Sequence, residues 1–400
     1  MNSSAGRRKP DFLRLGRLRW ESERDEDGTR IVSVVVVRMV PPSICCLAMD
    51  RRKMGTKAVT FRDFPIQGQP TKLEVKRQRF SCRNCGATAY EHLPMMDEDF
   101  RMTKRFREHI EHLAVEMPFT IAANVAGVPE ATVRRIFTAY ADRMFEGRTI
   151  TLPRVLGMDE IYLQGAPRFV IGDVENRFML DMQNSRREYD LRPYFAQMNG
   201  RSNVEVVCQD MWKGYHIVTK AIFPRAVTVI DKYHVQKTAN YGMEVIRKAH
   251  YLDISNKARI SLKRKKALFL ARRGGTGKSQ ESLSGLFAQY PRLLQAYDVK
   301  ERFYDIYESE SRAAAEQAAD KWLASIPQEM ERPFKQSIDA LRNWRPHILR
   351  YFEHRFTSAY IERLNGMIRK MNVAGAGYSL DVLRKKAILK HGNLRSTQEP

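Results

Sequence analysis

Three acidic residues, each beside an apolar run, have the type and spacing that metal chemistry requires. Asp159 lies within RVLGMDEIYL (154–163), Asp210 follows the apolar run 204–208, and Glu362 lies in FTSAYIERLNGMIRKM (356–371). Carboxylate oxygens suit Mg²⁺, which shares its ligand shell with substrate phosphate. Two such ions can activate an attacking oxygen and stabilise the leaving oxygen of an in-line displacement. The pattern predicts a site for two Mg²⁺ (or Mn²⁺) ions, with these three acids as metal ligands and catalytic residues.

The elements that position the two aspartates alternate between strands and helices over residues 152–245. Three strands, a helix, a strand, a helix and a strand form the order of an RNase H-like sheet. In such a sheet the first and fourth strands lie side by side, so Asp159 and Asp210 converge although they are 51 positions apart (210 − 159). The predicted strands are 154–163, 169–173, 178–182, 204–208 and 226–230, and the predicted helices are 187–198 and 215–222.

The third acid is predicted to lie on an amphipathic helix that packs on this sheet. Glu362 and Asn365 are three positions apart, which places them on one helix face. The alternative for any single acid is a solvated surface carboxylate. The stripe that would pack on the sheet is Ile361, Leu364, Ile368 and Met371.

A helical insertion is expected at 240–345, because Asp210 and Glu362 are 152 positions apart (362 − 210). Its segment 259–273, RISLKRKKALFLARR, predicts a basic helix that follows the DNA backbone; a solvated helix face is the alternative. The sequence GGTGKS at 274–279 is not a phosphate-binding loop, because the glycine that the motif needs is replaced by Arg272. The predicted phosphate contacts are Lys263, Arg264, Lys265 and Lys266.

A helix-turn-helix is predicted within 99–148, with its turn at Gly127. On the second helix, Thr132, Arg134 and Arg135 are expected to remain free to meet DNA, together with Glu130. An ordinary helical hairpin is the alternative. The residues expected to pack inward are Val125, Val128, Val133 and Ile136.

A small zinc-ribbon-like domain is predicted at 31–98. Cys82 and Cys85 form a knuckle whose two thiolates can bind one tetrahedral Zn²⁺, which needs four ligands. Further ligands would come from Cys45 and Cys46, with Cys46 as the candidate, or from His92. Alternatively, the cysteines are free thiols in a ribbon without metal.

Charge and composition indicate a nucleic-acid partner. The 400 residues include 69 Lys+Arg and 46 Asp+Glu, for a formal net charge of +23, and such a surface attracts polyanions. No apolar run is long enough to cross a bilayer, and residues 1–30 are expected to form a flexible basic arm. Five cysteines without a secretory signal favour a reducing cytoplasm.

Beyond these patterns, three segments resemble the ISL-three family of bacterial insertion-sequence transposases, over roughly residues 31–390. The resemblance implies that Asp159, Asp210 and Glu362 form the catalytic DDE triad, behind a zinc-ribbon-like unit and a helix-turn-helix. Two departures are the adjacent Cys45-Cys46 pair and Ala359, which stands where an Asn is common. The segments are GMDEIYL (157–163), VVCQDMWKGYHIVTKAIFPRAVTVIDKYHVQK (206–237) and SAYIERLNGMIRKMNVAGAGYSLDVLRKKAIL (358–389).

The resemblance also suggests four supporting residues. Asp231 and His234 match an element at the end of the fifth strand and would support metal or the scissile phosphate; a buried Asp–His hydrogen bond is the alternative. Asn365 and Arg369 match an Asn and a basic residue that follow the family's Glu.

The combined prediction is a mixed α/β protein with an RNase H-like catalytic domain at 152–395, behind the arm, ribbon and helix-turn-helix. It predicts a DNA transposase that binds terminal inverted repeats and target DNA as a homo-oligomer. It would work in the bacterial cytoplasm at the nucleoid, without a membrane. The alternatives are a non-catalytic helix-turn-helix regulator and an RNase H-type nuclease.

Overall fold

The computed structural model describes residues 15–16, 18–37, 51–272 and 277–393. The chain divides into two compact units, Met1–Glu146 and Gly147–Pro400. Cys45 and Cys46 lie outside the described residues, as do residues 274–276 of the glycine-rich segment GGTGKS (274–279).

A seven-stranded sheet forms most of the first unit, in the order β1-β2-β4-β3-β7-β6 with β5 paired to β4. Val32, Phe61 and Leu73 are buried in its core. The prediction of a flexible arm over 1–30 is wrong from Leu18 onward, because Leu18–Glu26 pairs along its length with the next strand. The strands are β1 (Leu18–Glu26), β2 (Thr29–Val36), β3 (Arg51–Ile66), β4 (Gln69–Cys82), β5 (Thr88–Tyr90), β6 (Met96–Asp97) and β7 (Met102–Thr103).

Three helices follow in the same unit: α1 (Lys104–Glu116), α2 (Phe119–Ala126) and α3 (Glu130–Phe145). Gly127 ends α2 in the left-handed conformation (φ 64°), which produces the tight turn predicted from the sequence. Val125, however, is 55% exposed and does not pack inward. Ala126 lies at the centre of the buried face, and Val125 is rotated from it by about 100° around the helix, so its side chain points away from the core. The buried residues of α2 are Phe119, Ala122, Ala123 and Ala126.

The second unit is built on a five-stranded sheet in the order β10-β9-β8-β11-β12. The first and fourth strands of the unit are neighbours, as the RNase H-like order predicts, and the mixed α/β fold class is confirmed. The elements are β8 (Val155–Leu163), β9 (Ala166–Asp173), β10 (Phe178–Gln183), α4 (Glu188–Ala196), β11 (Val206–Gln209), α5 (Lys213–Ile222) and β12 (Val227–Ile230).

Helices make up the remainder of this unit, and their buried core includes Phe303, Trp322 and Phe334. The prediction of one continuous basic helix over 259–273 is wrong, because one helix ends at Arg264 and the next begins at Lys266, with Lys265 at φ −88° and ψ 7° between them. The helices are α6 (Lys232–Ala249), α7 (Asn256–Arg264), α8 (Lys266–Leu270), α9 (Gly277–Gln289), α10 (Pro291–Asp305), α11 (Arg312–Ala324), α12 (Gln328–Glu331), α13 (Lys335–Leu349), α14 (Tyr351–His354), α15 (Ala359–Ala374) and α16 (Leu380–His391).

None of the helices in the described ranges is both long enough and apolar enough to span a bilayer.

Candidate active site

The strand register places three aspartates in one row across the sheet. β11 pairs with β8 in parallel at a constant offset of 51 positions (206 − 155), which is also the offset between Asp210 and Asp159. β12 pairs with β11 at an offset of 21 (227 − 206), which is also the offset between Asp231 and Asp210. Residues in one row of a sheet point to the same face. The three carboxylates are therefore directed to one side, where β11 and β12 end.

Two paired glycines let α15 approach this row closely. Gly157 on β8 lies opposite Gly172 on β9, and Ile361 of α15 fills the space above both. A methyl group at position 157 would lie 2.7 Å from Ile361 Cγ1, and one at 172 would lie 2.6 Å from Ile361 Cδ1. Glu362 is the next residue, so this contact determines how near its carboxylate comes to Asp159. This glycine pair was not among the predicted site residues, although two glycines within apolar strands indicate a close approach.

The tightest group of possible ligands consists of Asp159, His234 and Glu362, whose ligand atoms all lie within 4.8 Å of one another. His234 Nε2 is 3.3 Å from Glu362 Oε1 and 3.8 Å from Asp159 Oδ1. Asp210 is outside this group, and its Oδ1 accepts a hydrogen bond of 2.9 Å from the Trp212 backbone N–H. The structure therefore brings Glu362 to Asp159, with Asp210 directly after the end of the neighbouring strand β11.

Asp231 is fully buried and holds two elements of the site in place. Its Oδ1 accepts a 3.0 Å hydrogen bond from the backbone N–H of Ser358, at the start of α15. Its Oδ2 lies 3.3 Å from Nδ1 of His234. One carboxylate thus orients both the helix that carries Glu362 and the imidazole beside it.

Asn365 is buried one helical turn after Glu362 and orients the first aspartate. Its Nδ2 donates to Asp159 Oδ2 at 2.8 Å and to the Glu160 carbonyl at 3.2 Å. Arg369, a further turn along α15, is exposed. Of the two, Asn365 is the residue that forms a hydrogen bond with a predicted catalytic acid.

The electrostatics of the group favour a bound cation. Burial raises the pKa of the Asp159 carboxyl to about 7; His234 opposes the rise, while the charges of Glu362 and Asp210 add to it. Burial lowers the pKa of His234, but the hydrogen bond to Asp231 and the charge of Asp159 outweigh it and raise the pKa to about 9. A divalent cation would relieve the repulsion among these carboxylates, so the oxygen-rich donor set fits such an ion.

The residues of α3 that were predicted to contact DNA differ in their exposure and in the protein contacts they make. Arg134 donates to Glu130 Oε1 at 2.8 Å and lies over the ring of Phe119, but its side chain is 42% exposed, so its contact with DNA stays a prediction. Arg135 is exposed, with its guanidinium 5.0 Å from the centre of the Phe100 ring. Thr132 is half-buried.

The basic residues of the insertion lie at the corner between α7 and α8. Lys263, Arg264 and Lys266 are exposed and Lys265 is half-buried. Lys266 Nζ is 3.6 Å from Glu244 on α6, so one of the four cations forms an ion pair.

The cysteine knuckle is formed as expected for a ribbon turn. Cys82 ends β4, its carbonyl accepts from the Gly86 N–H at 2.9 Å, and Gly86 adopts φ 73°. Cys82 is buried, whereas Cys85 and His92 are exposed. The knuckle can supply two thiolates to a zinc ion, and the proposed further ligand Cys46 lies outside the described residues.

Comparison with family models identified three matching regions. Residues 156–387, more than half of the chain, match the DDE transposase model of the ISL3 group. Residues 91–141 match the helix-turn-helix domain of transposase family ISL3. Residues 44–85 match the zinc-finger of transposase IS204/IS1001/IS1096/IS1165. No curated protein matched the chain.

Proposed function

Because the chain belongs to the ISL3 family of transposases, we propose that Asp159, Asp210 and Glu362 are the carboxylates that catalyse its DNA strand cleavage and transfer. The family assignment made from the motifs and the function as a DNA transposase are confirmed by the three matches. The proposal rests above all on the convergence of Asp159 and Glu362, 203 positions apart (362 − 159), in one group of possible metal ligands.

In the proposed mechanism the three acids hold two divalent ions, Mg²⁺ or Mn²⁺. Bound there, the ions would activate water or a DNA 3′-hydroxyl and stabilise the leaving oxygen. Asn365 fixes the orientation of the Asp159 carboxylate through its amide. Asp231 acts through its contacts as a positioning residue for His234 and for the start of α15.

Removal of metal tests this function directly. We expect the purified protein to cleave a duplex carrying the terminal inverted repeats in Mg²⁺ and to leave a 3′-hydroxyl. Excess EDTA should abolish cleavage while binding persists, because binding depends on the basic surface and the helix-turn-helix. Cleavage products are measured on denaturing gels and binding by gel shift. Equal cleavage rates with and without divalent ions would contradict the proposal.

The matched helix-turn-helix supports DNA binding, and we propose that α3 reads the repeat. Arg135 is the side chain best placed for this, because it is exposed and held by Phe100. We expect Arg135→Ala to weaken binding to the repeat by about 5- to 150-fold, the effect of losing one bidentate base contact. A duplex of scrambled sequence is the control. An equal loss on both duplexes would show that Arg135 contacts only the backbone.

Three further proposals extend this function. The α7–α8 corner, Lys263–Lys266, contacts DNA backbone, and Cys82, Cys85 and Cys46 contribute to a zinc site. The protein works as a homo-oligomer, because two transposon ends must be held together for transfer. We also propose the domain limits 99–148 and 152–395, which overlap the family matches at 91–141 and 156–387, and a ribbon domain that ends at residue 98 and begins with β1.

A further inference from the structure

The outward face of α6 carries a regular row of tyrosine and lysine. Tyr233, Lys237 and Tyr241 recur every four residues and are exposed, the two tyrosines to 52% each. Such a spacing places them on one side of a helix. The opposite side packs into the helical core through Val235, Ala239, Met243 and Ile246.

This row starts at the candidate active site. The Tyr233 ring lies edge-on to the ring of His234, with their centroids 5.6 Å apart. His234 in turn contacts Asp159 and Glu362. A strand whose phosphate lies at the carboxylates therefore has Tyr233 as a neighbour.

The row ends beside the basic corner of the insertion. Glu244, one turn beyond Tyr241, is paired with Arg247 on its own helix and with Lys266 at the start of α8. It is the only acidic residue within α6, and these two cations neutralise it. The exposed face of α6 thus runs from the carboxylates of the candidate site to the basic α7–α8 corner. It carries no unpaired acidic side chain along this path.

We propose that this face of α6 binds an unpaired DNA strand that extends from the active site. Tyr233 and Tyr241 stack on bases, and Lys237 contacts the phosphate backbone between them. Alternating aromatic and basic side chains are typical of single-strand binding, since every base offers a face for stacking. In a duplex those faces are covered by neighbouring bases, so exposed tyrosines gain little there. At 1.5 Å per residue the two rings are separated by about 12 Å along the helix, so they contact different bases of the strand.

The inference depends on the proposed function, because it assumes that the scissile strand lies at Asp159 and Glu362. It adds a substrate feature that the carboxylates do not require. Strand ends near the site would be held open along α6 rather than remain paired.

Binding measurements with forked DNA test the inference. The substrate is the inverted-repeat duplex with an unpaired extension of about six nucleotides at the cleaved end, compared with the same duplex made blunt. All measurements are made in EDTA, so that no cleavage occurs. We expect the wild type to bind the forked DNA at least tenfold more tightly, and Tyr233→Ala/Tyr241→Ala to lose this preference while its affinity for blunt duplex is unchanged.

Two single variants serve as controls. Tyr233→Phe keeps the aromatic ring and is expected to behave like the wild type. Tyr189→Ala removes a tyrosine that is 75% exposed on α4, between two acidic residues, and is expected to have no effect. A 2-aminopurine base in the extension should be quenched by the wild type and by both controls, but not by the double alanine variant.

The inference is overturned if the wild type shows no preference for forked DNA, or if the double alanine variant keeps it. It is also overturned if that variant changes only the oligomeric state, since the face would then be a protein interface. Failure of the proposed function is measured separately, as cleavage that persists in Asp159→Asn. If Asp159→Asn loses cleavage but the wild type shows no preference for forked DNA, the inference is contradicted and the proposed function stands.

Discussion

Asp159→Asn, Asp210→Asn and Glu362→Gln are each expected to reduce strand cleavage by about 10³-fold while binding of the inverted repeat persists. Each change replaces an anionic oxygen ligand with a neutral amide of nearly the same shape. A metal ion that acts as a Lewis acid contributes several kcal/mol to the transition state, and a loss of about 4 kcal/mol corresponds to about 10³ in rate. Single-turnover cleavage in Mg²⁺, measured on prebound DNA, separates this effect from binding.

These amides are expected to leave the fold intact. Burial raises the pKa of the Asp159 carboxyl to about 7, so the fold disfavours the charged form that is still present near neutral pH. The amide of Asp159→Asn carries no charge, so the thermal midpoint without metal should not fall. Added Mg²⁺ should raise the midpoint of the wild type but not that of this variant.

Asp298→Asn is the matched control, since Asp298 is exposed on α10 in the same unit. It should cleave at the wild-type rate. Wild-type cleavage in any one of the three active-site variants would remove that residue from the proposed catalytic set.

The sequence predicted the sheet because strand order and register follow from local patterns. Asp159 and Asp210 both accompany long apolar runs, and a parallel neighbour in the sheet converts a 51-residue separation into adjacency. Glu362 could be placed because its helix has an apolar stripe with one polar face. These features depend on periodicity, which is visible without knowledge of the packing.

Other features depend on tertiary packing and could not be predicted. The helical spacing of α2 is compatible with Val125 on either the buried or the exposed face. In the structure the buried face consists of Phe119 and three alanines, and Val125 lies outside it. The inclusion of His234 in the tightest ligand group, with Asp210 outside it, depends on side-chain rotamers. The strand Leu18–Glu26 is rich in charge and is ordered by its partner β2.

The glycine pair beneath α15 leads to the second large effect, because it controls the position of Glu362 without touching DNA or metal. Gly157→Ala would place a methyl group 2.7 Å from Ile361 Cγ1 and 2.8 Å from Val174 Cγ2. Either the Ile361 side chain or the helix that carries it must then shift, and a displacement of Glu362 by about 1 Å can cost about 10²-fold in rate. We expect cleavage to fall by about that factor, with a destabilisation of about 1–3 kcal/mol from overpacking.

Gly366→Ala is the control for this variant, because Gly366 lies on the same helix with no atom within 4 Å of its added methyl group. It should cleave normally and stabilise the protein by about 0.5–1 kcal/mol, since alanine is the better helix former. Combining Gly157→Ala with Ile361→Ala removes the clashing side chain and should restore part of the lost rate. If Gly157→Ala instead cleaves like the wild type, then either the glycine does not determine the position of Glu362, or cleavage does not depend on that position. Single-turnover rates and thermal midpoints of the four proteins distinguish displacement of the helix from general loss of stability.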